Sequence, residues 1–241
     1  MSVHIRGDGL ARDTGLIMAT NSLRIRSVDP RAEGESIRAV LLRNLPDACL
    51  KGRYERLYLG NPLGPARVWL AEEGETGEVV GTSAAHIREV RVDGTPHRAL
   101  NLSDFAVDSA YRSLGPALAL LRATLAPVQG GEFAFSYDLP SQAMAAIYRR
   151  CKGMDLGPMV RLVLPLAAAP IIRRRFGDHF AARLLGKVGD LALGAREIFR
   201  TAPKGIEVTG WSGPFGEEFD RMDERLAASI RVRGVRSARL L

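Results

Sequence analysis

Two short turn sequences, GETG at 74–77 and VDGTPH at 92–97, interrupt the stretch from residue 67 to residue 107, and they constrain the fold more tightly than any other feature. Apolar and β-branched runs flank them: RVWLAE at 67–72, EVVGTSAAHI at 78–87 and ALNLSDFAV at 99–107. Glycine supplies the positive φ that a tight reversal needs, so each turn closes a hairpin. Two successive hairpins lay three strands side by side, antiparallel, which excludes a purely helical bundle. Upstream, LRIRS at 23–27 alternates as a short strand and stops at Asp29-Pro30. From Glu35 the spacing of Ile37, Val40, Leu41 and Leu45 predicts a helix ended by Leu45-Pro46. Downstream, a helix runs to about Ala126, followed by a strand over 132–139, a helix over 141–151 and a strand over 159–164. The order β-α-β-β-β-α-β-α-β gives an α/β fold: a mixed, mostly antiparallel sheet flanked by helices.

The character changes at Ala167. Residues 171–193 read as one helix, a Gly/Pro-containing link spans 201–205, and IEVTGW precedes a helix over 216–230. The division expected is a flexible lead-in over 1–20, a main domain over 21–166 and a mainly helical basic extension over 167–241. The last strand-helix pair repeats the order at the start of the chain, as the beginning of a second half would. Phe215, Phe219, Met222 and Leu226 form an apolar stripe that needs cover from the first domain, a further C-terminal half or a second protomer; a homodimer is the expected outcome.

Composition excludes several classes. The longest apolar run, LVLPLAAAPII at 162–172, contains two prolines and falls well short of the roughly 20 residues of a membrane span. The first 26 residues lack the pattern of a secretory signal, and two cysteines without framework spacing suit a cytoplasmic protein. The net charge of +7 resides in the second part of the chain: residues 1–148 carry −1 and residues 149–241 carry +8. Only four of the 34 basic residues are lysines, a bias that reflects a bacterial genome's composition, and no nucleic-acid motif accompanies the charge, so a nucleic-acid partner is not expected. The four histidines are scattered, and no metal site is expected.

The chemistry concentrates at VDSAYRSLGPALALL, residues 107–121, where a strand ends and a helix begins. The first turn of a helix has N–H groups without internal partners and a partial positive charge, so it binds phosphate. Gly115 lets backbone approach an anion, Ala117 keeps the next approach uncrowded, and Arg112 adds a fixed charge with several donors. Pro116 lacks an N–H and removes one donor, although proline suits a helix's first turn.

This layout, with Arg112-Ser113-Leu114-Gly115-Pro116-Ala117 after a strand that follows two hairpins, resembles the GNAT family of acyl-CoA-dependent N-acyltransferases over roughly residues 21–166. The resemblance implies that the loop from Arg112 through Ala117, Ser113 and Leu114 included, holds the pyrophosphate of acetyl-CoA. Leu114 departs from the family pattern, where a basic residue is frequent. LPSQAMAAIYRRCKGM at 139–154 is similar to the family's late helix, with Ser141 in place of its Asn, Met154 in place of its Phe and one extra residue between Tyr148 and Gly153. By that resemblance Tyr148 is the general acid that protonates the departing thiolate.

Asp104 stands mid-strand on the face expected for Leu102 and Ala106, where a carboxylate is out of place; a general base acting through water is one reading, and a solvent-facing or helix-capping role is the other. His86 and Glu89 are further candidates for base or substrate contact. By the same resemblance, the backbone N–H of Val107 at the strand end polarises the thioester carbonyl. Three functions follow. One is an N-acyltransferase, most simply an acetyltransferase, acting on a small-molecule amine such as an amino sugar or envelope precursor. The second is a FemAB-like aminoacyl transferase of cell-envelope synthesis, favoured by the repeat-like end and the basic second part. The third is a non-catalytic GNAT module.

Overall fold

The computed structural model describes residues 23–45, 51–157, 167–198, 210, 212–227 and 229–240. Strand β1 (Leu23–Val28), helix α1 (Gly34–Asn44), strands β2 (Arg67–Glu73), β3 (Val79–Val92) and β4 (Thr95–Val107), helix α2 (Leu114–Gln129), strand β5 (Phe135–Tyr137) and helix α3 (Gln142–Arg150) follow in chain order. The sheet runs β1-β2-β3-β4-β5; every pairing is antiparallel except that of β4 with β5, which α2 makes possible by crossing over. The mixed, mostly antiparallel sheet is therefore the one the turns predict. Asp93 and Gly94 both take positive φ, 49° and 82°, giving the two-residue reversal between β3 and β4.

Each face of the sheet builds its own core, because alternate residues of each strand point to opposite sides. Trp69, Ala71, Ala85, Ile87, Leu100, Leu102 and Val107 meet Leu120 and Leu121 of α2 on one face, with Ile147 and Tyr148 of α3 packed against them. Val68, Leu70 and Ala84 meet Ile37 and Leu41 of α1 and Tyr54 and Tyr58 on the other. Tyr54 and Tyr58 lie in a short helix before β2 whose residues Glu55–Leu59 form a π turn, an element absent from the sequence reading.

Three expectations are corrected. The strand expected over 132–139 shortens to Phe135–Tyr137, because Gly131 turns at φ 78° and Phe133 drops its ring into the core. The single helix expected over 171–193 is two, α4 (Ala169–Phe176) and α5 (Phe180–Ile198), separated by Gly177 at φ 87°. Asp104 does not share a face with Leu102, for a reason that belongs to the site below. The strands expected over 159–164 and at IEVTGW, and the lead-in over 1–20, lie outside the described residues.

The chain divides into two compact units, residues 1–154 with 214–241, and residues 155–213. In the first, helix α6 (Glu217–Ala227) and strand β6 (Val232–Gly234) return to the sheet, where β6 pairs antiparallel with the end of β3. Phe219, Met222 and Leu226 of the apolar stripe become half-buried within the same chain. In the second, α4 and α5 form a helical hairpin, and the Asp190 carboxylate of α5 accepts the Ala168 and Ala169 N–H groups at 2.6 and 3.2 Å, capping α4. Among the described residues no helix is long and apolar enough to cross a membrane, and no cluster of metal-ligating side chains occurs.

A buried ion pair ties the C-terminal segment together. Arg233 on β6 grips Asp223 on α6 with both terminal nitrogens, their side chains 7% and 6% exposed, and the same carboxylate accepts the Arg236 N–H at 2.9 Å. Asp223→Ala leaves a buried guanidinium without its counter-charge, and a loss of about 3–5 kcal/mol is expected in denaturant unfolding. Asp223→Leu with Arg233→Met removes both charges and should recover most of that loss.

Candidate active site

Strand β4 is the spine of the site. It pairs with β3 along nearly its whole length but with β5 only through Ala99, Leu100 and Asn101, so beyond Asn101 the two strands part and residues 102–107 have no parallel neighbour. Within that span β4 bulges. Ala84 faces Ser103 and Thr82 faces Ala106, so Ser83 alone opposes both Asp104 and Phe105. Asp104 takes φ 49°, a left-handed conformation that aspartate tolerates better than most side chains.

The extra residue resets the alternation. Leu102 stays on the α2 face, whereas Asp104 turns to the α1 face and Val107 returns to the α2 face. The backbone shifts with it. Asp108 N–H donates to Val80 O at 2.8 Å, so the neighbouring Val107 N–H points away from β3 and into the gap left by β5. The Val107 carbonyl agrees, because it accepts from Arg112 Nε at 2.9 Å rather than from β3.

The gap opens beside the N-terminus of α2. Ser113 precedes the helix in extended conformation, its N–H donates to Tyr111 O at 2.7 Å, and its hydroxyl caps nothing. The Leu114 and Gly115 N–H groups therefore meet neither an intrahelical acceptor nor a side-chain cap. A Cβ built on Gly115 would meet nothing within 4 Å, which leaves open space against the backbone. Ala117 is buried, and its N–H reaches Ser113 O at 3.5 Å. An uncapped helix end beside open space fits a phosphate group.

Arg112 does more than supply charge. Besides Val107 O, it donates through Nη2 to Asn44 Oδ1 at 2.8 Å, and Asn44 Nδ2 donates to Asp108 at 2.5 Å. Arg43 completes the group, reaching Asp108 at 2.7 Å and Val79 O at 2.9 Å. Burial pushes the Asp108 carboxyl up, but the hydrogen bonds from Arg43 and Asn44 prevail and hold it below its ordinary range. The end of α1 is thereby fastened to the loop that presents α2.

On the α1 face, sequence reasoning missed two residues. Arg53 grips Asp104 with both terminal nitrogens at 2.7 and 2.9 Å, and the buried Tyr58 hydroxyl donates to the same carboxylate at 2.8 Å. Both belong to the helix containing the π turn, which no periodicity in the sequence marks. The Tyr58 ring meets the edge of His86, centroids 5.5 Å apart. His86 is 3% exposed, and neither ring nitrogen makes a well-formed hydrogen bond among the described residues, although the Leu57 backbone lies near.

Tyr148 lies on the α2 face, its hydroxyl donating to Asp138 Oδ2 at 2.7 Å. Burial and that carboxylate together push the phenol's pKa well above its ordinary value. Glu89 sits apart, in a cavity of about 190 Å³ that Asn61, Arg88 and Tyr137 also line. Val107 and residues 112–117 thus share the end of the gap, Tyr148 packs on the same core as Val107, and Asp104 and His86 occupy the opposite face of the sheet.

His86 makes stability depend on pH. Burial pulls its pKa from the ordinary 6.5 down to about 4, and the nearby Asp104 charge offsets this only in part. Between those values the unfolded chain takes up a proton that the folded chain refuses, so stability falls as pH drops from about 6.5 to 4, by up to roughly 3 kcal/mol. Urea unfolding at intervals across that window should show the decline, and His86→Gln should flatten it.

Residues 37–152 match the family model described as acetyltransferase (GNAT) domain. No curated protein matches the chain in sequence. Among solved structures, glucosamine-6-phosphate N-acetyltransferase from Arabidopsis thaliana is 13% identical with a TM-score of 0.46, covering 60% of this chain and 99% of that one. A predicted acetyltransferase with acetyl-CoA from Clostridium acetobutylicum is 16% identical with a TM-score of 0.46, covering 58% and 96%. An acetyltransferase from Trypanosoma brucei is 15% identical with a TM-score of 0.43, covering 59% and 100%. Over residues 37–152, just under half of its length, the chain is thus similar to the acetyltransferase domain of the GNAT family.

Proposed function

We propose that the chain transfers an acyl group, most simply acetyl, from acyl-CoA to the amine of a small molecule by direct attack. The observation that carries this reading is the gap between β4 and β5, which opens beside an uncapped helix N-terminus. The Leu114 and Gly115 N–H groups, the Ser113 hydroxyl and the Arg112 charge would hold the pyrophosphate, with Ala117 leaving the approach clear. Pro116 contributes no donor. Acyl-CoA supplies a thioester activated toward amines, and the remaining work falls to residues of this chain.

The Val107 N–H stabilises negative charge on a carbonyl oxygen drawn into the gap, where little water competes. Burial and Asp138 both oppose the phenolate, so Tyr148 is protonated near neutral pH. It therefore carries a proton that it can give to a departing sulfur once its hydroxyl turns from Asp138. We assign Asp104 to holding the bulge, since Arg53 and Tyr58 place three donors on its two oxygens. We place the acceptor in the polar cavity lined by Asn61, Arg88, Glu89 and Tyr137, which suits an amine carrying hydroxyl groups, such as an amino sugar or envelope precursor. A cytoplasmic location and a homodimer are part of this reading.

Calorimetric titration with acetyl-CoA and, separately, with tRNA tests the donor. Acetyl-CoA should bind, and at a hundredfold excess over Kd it should add about 2.7 kcal/mol of stability. Gly115→Glu and Arg112→Ala should abolish or strongly weaken that binding in a folded protein. Binding of tRNA alone would favour the aminoacyl-transferase reading, and binding of neither ligand the non-catalytic one.

Turnover separates the two assigned side chains. Tyr148→Phe should lower kcat by about 10²–10⁴ with little change in acetyl-CoA affinity. Asp104→Asn keeps the left-handed backbone accessible and the acceptor oxygen in place, so kcat should remain within about tenfold of the parent. A loss of 10²–10⁴ would instead make Asp104 the base.

A further inference from the structure

The α4–α5 hairpin is packed inside out. Its two helices meet through small residues: a Cβ built on Gly186 would lie 2.9 Å from Ala169, and one on Gly189 would lie 2.5 Å from the Ala168 Cβ. Ala182 and Gly186 of this seam are buried. Phe180, Leu184, Val188 and Leu191 repeat at helical spacing two residues out of phase with that seam, hence on nearly the opposite side of α5, and are 81%, 54%, 58% and 75% exposed. Ile171 and Phe176 of α4 are exposed as well. Small residues between helices with large apolar ones outside is the arrangement of helices whose surroundings are as apolar as their side chains.

The charges indicate which apolar surroundings these are. Residues 167–198 carry six Arg and Lys against three Asp and Glu. Two of the acids are occupied within the hairpin, Asp178 by Arg183 and Asp190 by the α4 cap. Arg173, Arg174 and Arg175 stand beside Phe176, and Lys187 lies along the apolar stripe of α5. Neither helix is long and apolar enough to cross a bilayer. We propose that this hairpin lies in the interface of an anionic membrane, its apolar stripe among the acyl chains and its cations at the headgroups. A second copy of the hairpin fits less well, because it would bring the same surplus of positive charge to the contact.

The test uses the full chain and large unilamellar vesicles, one set of phosphatidylcholine with 30 mol% phosphatidylglycerol and one of phosphatidylcholine alone. Co-sedimentation should favour the anionic vesicles by at least about tenfold. Leu184→Glu with Leu191→Glu should abolish binding. Replacing Arg173, Arg174 and Arg175 by Ser should weaken binding to anionic vesicles by about a hundredfold and remove the preference for them. All these side chains are exposed, so circular dichroism melting should be unchanged in the variants. The proposal is overturned if the parent chain stays in the supernatant with anionic vesicles, or if Leu184→Glu with Leu191→Glu binds them as before. It is equally overturned if light scattering without lipid shows a dimer that this same double variant dissociates, which would make the stripe an interface between copies.

Discussion

The candidate site depends on one anchored side chain, Asp104, which Arg53 and Tyr58 hold by hydrogen bonds. A left-handed aspartate in mid-strand costs on the order of 1 kcal/mol or more, and such a conformation persists only where its surroundings over-determine it. Here three donors from the helix before β2 fix the carboxylate, and with it the bulge. The bulge decides which amide of β4 faces the gap. In a regular strand the residues after Ser103 would keep their alternation, and Val107 N–H would turn toward β3. The extra residue gives it to the gap instead, so a contact on the α1 face sets the chemistry available on the other side of the strand.

A second polar group serves the same end at the loop. Arg43, Asn44, Asp108 and Arg112 join the last turn of α1 to the residues before α2 through hydrogen bonds of 2.5–2.9 Å. Each partner is held by at least two bonds, so the helix end that presents Leu114 and Gly115 is stationed from three directions. Arg112 is thus both a fixed positive charge near that helix end and a strut that holds it. Its replacement disturbs position as well as electrostatics.

The sheet and the start of α2 were legible because both rest on local chemistry. Glycines at 77 and 94 specify reversals, alternation specifies strands, and Gly-Pro after a strand specifies a helix start. Asp104 was conspicuous for the right reason, a carboxylate in an apolar strand, but its orientation was not. An added residue in one strand is invisible in a sequence that continues to alternate. Arg53 and Tyr58 escaped notice because a short helix with a π turn has no standard period, and their partner lies 46 or more residues away. The α6 stripe was recognised, whereas its return to β3 required Arg233 to meet Asp223, a pairing no spacing rule reveals.

The return of β6 to β3 also bears on how the chain acquires its structure. It joins segments far apart in sequence, with Arg231 bonded to Asp93 across 138 residues, while the hairpins of the central sheet close locally. Contacts of such separation carry the largest loop-closure entropy and tend to form late. The central sheet can therefore assemble while the end of the chain is still searching, and until β6 arrives the far edge of β3 offers unpaired backbone to any passing strand. The buried Asp223–Arg233 pair that finally seats this segment is then also a safeguard against self-association during biosynthesis.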